Sequence, residues 1–299
     1  MPHTRSPDHA RATLALVVLT TVWGSTFVVI QSALDLLSPM VLIAARFVVA
    51  ALILALLRPA ALGEARRALA PALVLSIPMF AGFALQTRGL ATTTPARSAF
   101  VTSLSVVIVP FFQFLATRHL PRPRVALAVL LAVAGIYFLF EPLGDEWHRG
   151  DSLTLLATVC FAFYIVELGR LSRRWSAMGL VLAQCVTIAT LAAAAAVTLE
   201  TPLLVASAPA LLSVAYLGVV CTALTFVMMT WAQARVEPIE AAVIYTLEPV
   251  VAAAFSLAFG REHLGLGLIT GGAMVVAATL AASTGTADTL PPSPPEGID

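Results

Sequence analysis

Lysine is absent from this chain of 299 residues, charged residues of every kind make up 11% of it, and it has three cysteines and five histidines. Without lysine there is no Schiff base, which excludes a retinal-type photoprotein. Without a Gly-Lys-Ser/Thr phosphate loop there is no intrinsic nucleotide hydrolysis. His3, His9, His119, His148 and His263 stand at a terminus or at the end of an apolar segment. None is expected at bilayer depth beside a carboxylate, a cysteine or another histidine, so an intramembrane metal centre or a serine hydrolase lacks its partners. Cys160, Cys185 and Cys221 all fall within apolar segments, and their odd number and unpaired spacing read as small core residues, not as disulfides or ligands. No enzyme, cofactor, metal or nucleic-acid partner is expected.

What the chain has in abundance is apolar length. It is 60% hydrophobic, with a mean hydropathy of +0.95, whereas a soluble domain is roughly a quarter charged. A helix crossing a hydrocarbon core of about 30 Å needs on the order of 20 apolar residues. Ten segments meet or approach that length, over approximately 12–34, 39–57, 70–90, 94–117, 123–140, 150–171, 177–198, 209–232, 238–260 and 264–283. They are called the first to tenth segments below. The first is longer than a signal-peptide core and is expected to be retained; the Pro-rich tail 284–299 is expected to be disordered. Twelve arginines flank one set of segment ends and four (Arg88, Arg97, Arg149 and Arg261) flank the other, while Arg46 lies inside the second segment. The positive-inside rule then puts both termini in the cytoplasm of a cell with the protein in its inner membrane.

A shift of 143 residues lays Pro95 on Pro238, Ala99 on Ala242, Leu104 on Leu247, Val107 on Val250, Phe112 on Phe255 and Arg118 on Arg261. A shift of 137 lays "TVW" at 21–23 on "TVC" at 158–160. Each half would hold five segments, and because five is odd the second half enters the membrane from the opposite side. The expected fold is all-α, with ten transmembrane helices arranged as two inverted five-helix repeats. The expected division is a cytoplasmic segment 1–11, repeats 12–141 and 150–283, and the tail. Inverted repeats recur in secondary transporters, whose substrate site lies near the midplane between the repeats.

The stretches "VWGSTFVVIQSAL" (22–34), "IAARFVVAALIL" (43–54), "SAFVTSLSVVIVPFFQFL" (98–115) and "LEPVVAAAFSLAFGREHL" (247–264) resemble the EamA-type repeats of the drug/metabolite transporter superfamily. The resemblance runs over about residues 12–283 and implies a ten-helix transporter that moves small metabolites, often outward, without ATP. It does not imply a substrate. Two departures make the halves chemically unequal: His119 stands where the second half has Glu262, and Val106 where it has Pro249.

A charge at a helix centre costs about 2.5–3.5 kcal/mol on insertion scales, so such a residue faces the bundle interior and has a partner or a function. Glu248 and Arg46 are the two strongest cases. Either Glu248 binds an amine or takes a proton, or the two form a fixed ion pair between the repeats. Pro249, beside Glu248, frees a backbone carbonyl near Tyr245, which is tolerated where protein or a wet cavity can satisfy it. Pro78 and Pro110 are further candidate kinks. Glu167 is a second carboxylate able to carry a proton, although an Arg170 three residues on pairs with it as readily. Trp23, Gln86, Ser105, Tyr164, Gln184, Trp231 and Tyr245 are candidates for a transport pathway, with Gln31, Thr87 and Ser103 as further polar positions. Ser105 matches Glu248 across the repeat, and Gln184 matches Arg46 at an offset of 138. Gly24, Gly82 and Gly218 are expected at close helix contacts. The partners implied are the lipid bilayer, a small organic substrate and protons as a coupling ion. The alternative to an exporter of amino-acid-like or drug-like metabolites is a multi-pass scaffold that transports nothing.

Overall fold

The computed structural model describes residues 7–140, 147–258 and 266–283. Among these, regular structure is helical apart from one antiparallel bridge, Leu37 to Leu204. The tail and the "GREH" stretch with Glu262 lie outside the described residues. Among the described residues, seven helical stretches are long and apolar enough to cross a membrane: Pro7–Ala33, Pro39–Leu57, Leu69–Leu90, Pro95–Thr117, Arg149–Leu171, Ala177–Leu199 and Ala208–Gln233. Shorter apolar helices occupy the fifth segment (Pro123–Phe140), the ninth (Pro238–Tyr245 and Leu247–Ala258) and the tenth (Leu266–Ser283). The first helix starts at Pro7, a turn earlier than its hydropathy suggests, because polar residues such as Asp8 and His9 still form helix there.

Helix starts follow local chemistry. The prolines at 39, 95 and 238 open helices, where a missing N–H costs nothing. The hydroxyls of Thr94, Ser176 and Ser207 accept backbone N–H groups of the first turn.

Among the described residues three helices are interrupted: the first at Ser25, the fourth at Leu104 and the ninth at Thr246. A fourth irregularity is the π-helical stretch Tyr216–Leu224 within the eighth. The ninth breaks three residues before Pro249, about where a freed carbonyl was expected. The fourth breaks six residues before Pro110, and the helix runs unbroken through both Pro110 and Pro78. Proline therefore does not account for the break at Leu104, and its near match to Thr246 across the repeat makes it a property of the position in the fold.

The helices pack in pairs that exchange consistently between halves. Third lies on sixth as eighth lies on first; fourth on sixth as ninth on first; second on eighth as seventh on third. Second with seventh, fifth with tenth and fourth with ninth pair across the halves. Short connections put successive ends at alternate faces. One face, here the amino-terminal face, joins Glu64 to Ser176 and Gly169 to Pro238; the opposite face joins Leu37 to Leu204 and Gly89 to Gly150.

Lipid gives no hydrophobic drive between helices, so close backbone approach matters. A Cβ on Gly24 would lie 2.8 Å from Val251 Cγ1 and 3.1 Å from the Glu248 carbonyl; one on Gly218 would lie 2.7 Å from Val49. Gly82 faces the Phe161 ring just as tightly. All three glycines sit at helix crossings, as expected. Large apolar side chains such as Leu14, Leu56 and Leu130 are exposed on the outside of the bundle, the face a multi-pass membrane protein turns to lipid.

Candidate functional site

Each helix break borders one cavity. Trp23 and Thr26 flank the break at Ser25, Ser103 and Ser105 flank Leu104, and Tyr245 and Glu248 flank Thr246; all six line the cavity. Its empty volume is about 750 Å³, which includes the open space at its mouth. Interrupted helices at membrane depth are tolerated where they border such a space, because free carbonyls and N–H groups can be satisfied there.

Arg46 stands on the second helix, 3% exposed. Its Nε donates to Thr222 Oγ1 at 3.0 Å, and its Nη2 donates to the same oxygen at 2.9 Å and to the Cys221 carbonyl at 3.4 Å. The guanidinium carbon lies 4.7 Å from the Phe83 ring centroid and 5.6 Å from that of Phe47, which adds cation–π attraction. The Cys221 carbonyl also accepts from Thr225 Oγ1 at 2.8 Å and from Trp23 Nε1 at 3.3 Å. The Thr222 hydroxyl donates to the Leu217 carbonyl, five residues back, at 2.7 Å. The π-helical stretch thus presents one carbonyl and one hydroxyl as a seat for the arginine, consistent with the usual placing of such turns at functional sites.

Glu248 is 9% exposed and opens onto the cavity. Among the described residues no hydrogen bond or ion pair reaches its carboxylate, and none joins it to Arg46. The fixed Arg46–Glu248 pair expected as one alternative is therefore not formed. The walls between the two charges are aromatic: Trp23 lies 5.6 Å from Tyr245 and 6.5 Å from Phe226, Phe83 stacks on Phe226 at 6.3 Å, and Phe161 meets Phe83 edge to face at 5.7 Å.

Of the other expected residues, Gln86, Ser105, Tyr164 and Tyr245 line the same cavity. Gln86 donates to Thr102 at 2.9 Å, and Gln233 donates to the Tyr245 hydroxyl at 2.8 Å. Gln184 stands one layer behind, accepting from the Tyr164 hydroxyl at 3.1 Å. Trp231 is outside the lining, under the Arg235 guanidinium at 4.4 Å. Glu167 is paired with Arg170 near the end of the sixth helix, also outside the lining. Gln31 donates to the Thr93 carbonyl at 3.4 Å.

Several contributors gave no usable sequence signal. Phe83, Phe161 and Phe226 look like any apolar residues, and Thr222 like any small polar one. A contact that the sequence did not single out lies at the amino-terminal face, where a histidine at the start of the first helix meets a carboxylate. His9 Nε2 lies 3.2 Å from Glu240 Oε2, with the two residues 5% and 7% exposed. They are 231 positions apart in the chain, so only packing brings them together. Asp151, not singled out from sequence, is wholly buried and holds Arg97. Among the described residues no group of three or more His, Cys, Asp and Glu side chains is placed to hold a metal ion, and the three cysteines are free.

The EamA-like transporter family matches residues 10–141 and again 148–284. A protein of Archaeoglobus fulgidus described as an uncharacterized transporter is 31% identical over 254 residues, which is 85% of this chain and 79% of that one. A crystal structure of another protein superposes on 92% of this chain and 97% of its own with a TM-score of 0.76 at 18% identity, a likeness of fold alone.

Proposed function

Since this chain belongs to the EamA-like transporter family of the drug/metabolite transporter superfamily, we propose that it exports small organic metabolites across the inner cell membrane by alternating access to the cavity described above. Ten transmembrane helices form two inverted repeats, about 12–141 and 150–283, with both termini cytoplasmic. The exchange-consistent helix packing and the arginine distribution support that arrangement.

One observation carries the substrate reading: Arg46 and Glu248 share a cavity without pairing to each other, across aromatic walls. An anion and a cation held apart across an apolar space suit a small zwitterion, amino-acid-like, with its carboxylate toward Arg46, its amine toward Glu248 and its body against Trp23, Phe83 and Phe226. Trp23, Gln86, Ser105, Tyr164 and Tyr245 shape the pathway, and Gln184 positions Tyr164. Glu248 is also the carboxylate placed to carry a coupling proton, because Glu167 is engaged by Arg170 away from the cavity.

Thermal stabilisation of the purified protein by panels of amino acids, organic amines and organic acids tests this reading, with Glu248→Gln and Arg46→Lys alongside the wild type. Amino acids should stabilise the wild type and lose that effect in both variants. Stabilisation by amines alone, insensitive to Arg46→Lys, would exclude the zwitterion. Equal stabilisation of wild type and Glu248→Gln by every ligand would remove Glu248 from the site.

A further inference from the structure

Among the described residues, two largely buried pairs of ionisable side chains lie away from the cavity, one at each face of the bundle. At the face opposite the amino terminus, Arg97 meets Asp151: Arg97 Nη2 lies 2.6 Å from Asp151 Oδ2, and Nε lies 3.1 and 3.3 Å from its two oxygens. Asp151 also accepts from Thr93 Oγ1 at 2.5 Å and from the His148 backbone N–H at 2.8 Å. At the amino-terminal face, His9 meets Glu240 through a single 3.2 Å contact, and the second Glu240 oxygen is buried without a partner among the described residues.

The two pairs occupy corresponding places in the two halves. Arg97 is the third residue of Pro95–Ser103, and Glu240 is the third residue of Pro238–Tyr245. They are separated by the 143 positions that superpose Pro95 on Pro238. Their partners, Asp151 and His9, stand third in the helices Arg149–Leu171 and Pro7–Gly24. The signs are exchanged: the short half-helix carries the cation at one face and the anion at the other. From its pair, each half-helix runs inward for about two turns and stops at a break on the cavity wall, Leu104 beside Ser105 or Thr246 beside Glu248. Each pair thus pins the outer end of a short lever whose inner end forms part of the site.

We infer that Arg97–Asp151 and His9–Glu240 are the latches of two opposed gates, each holding its half-helix shut against the first turn of a helix of the other half. Opening a face requires its pair to separate, and a buried charge separates from its partner only when water reaches it. The two latches are unequal. Asp151 accepts hydrogen bonds from Arg97, Thr93 and the His148 backbone, whereas among the described residues Glu240 meets His9 alone and keeps one buried oxygen without a partner, so the amino-terminal face opens more readily and the resting protein is biased toward the side from which an exporter loads. This assignment rests on the alternating-access reading given above.

The test uses the full chain with Cys160, Cys185 and Cys221 replaced by alanine and one reporter, Ser105→Cys, in the cavity wall. Labelling by a membrane-impermeant thiol reagent is timed in right-side-out and in inside-out vesicles. Asp151→Asn, which removes the charge and keeps an acceptor oxygen for one of Thr93 and the His148 backbone, should raise labelling from outside about five- to tenfold, the lower end of ordinary coupling between sites, and lower it from the cytoplasm. Glu240→Gln should do the reverse. The graft His9→Asp with Glu240→Arg puts the stronger kind of pair at the amino-terminal face and should slow cytoplasmic labelling, a gain that a generally loosened fold cannot produce. Labelling raised from both sides by either single variant, or unchanged by all three, would overturn the latches. A reporter labelled from only one side in every protein would overturn alternating access itself, whereas effects on exchanged sides would keep the latches and reverse the orientation.

Discussion

Thr222→Val is the most informative single substitution for the seat of Arg46. Valine keeps the shape of threonine and removes only the hydroxyl that accepts from Arg46 Nε and Nη2 at 3.0 and 2.9 Å. What remains to the guanidinium is the Cys221 carbonyl at 3.4 Å and the faces of Phe83 and Phe47. Hydrogen bonds between neutral side chains in membrane proteins contribute about 0.6 kcal/mol on average and up to about 1.7. A bond to a buried charge contributes about 1.5–3 kcal/mol, and here one oxygen serves two N–H groups of a cation. The expected loss is therefore about 1.5–3 kcal/mol, roughly a ten- to 150-fold shift in the unfolding equilibrium. Reversible unfolding in mixed detergent micelles measures it, with Thr222→Ser as the control that restores the hydroxyl. A loss below about 0.6 kcal/mol, or a serine variant no better than valine, would refute the view that this hydroxyl anchors the charge.

Three further outcomes follow from the packing. Gly24→Val places a Cβ 2.8 Å from Val251 and should open the crossing of the first and ninth helices, costing about 1–3 kcal/mol as overpacking does and abolishing transport in proteoliposomes; wild-type uptake would show that the crossing is not tight. Trp23→Ala should remove substrate stabilisation in the thermal assay, whereas Trp231→Ala, outside the cavity, should lower the melting temperature and leave the ligand-induced shift intact; the reverse pattern would move the site. Tyr164→Phe, which loses the 3.1 Å bond to Gln184, should cost about 0.5–1.5 kcal/mol, and Gln184→Leu added to it should cost less than the sum of the two single losses in a double-mutant cycle.

Charge at membrane depth is expensive, so Glu248 and Arg46 stand out against an apolar background, and both line the cavity. Their relation to each other could not be read the same way. Composition allows a pair or two separate charges, and in the fold Arg46 is engaged by Thr222 and Cys221 instead of by Glu248. Trp231 and Glu167 show the converse: residue type and depth qualify them, but the direction in which each side chain leaves its helix takes it elsewhere. Pro110 marks a helix that is indeed broken, yet the break lies at Leu104.

By itself the sequence determined the membrane class, the family and the existence of two related halves, because those depend on local composition and on order along the chain: apolar runs of spanning length, helix-opening prolines and a repeat offset. Tertiary structure alone decided which residues meet. The aromatic walls, the π-helical seat of Arg46, and the His9–Glu240 and Arg97–Asp151 pairs join residues 54 to 231 positions apart. A sequence lists those residues without saying which helices cross or which faces they turn to one another, and crossing geometry is set by close contacts such as Gly24 against Val251 that no local pattern encodes.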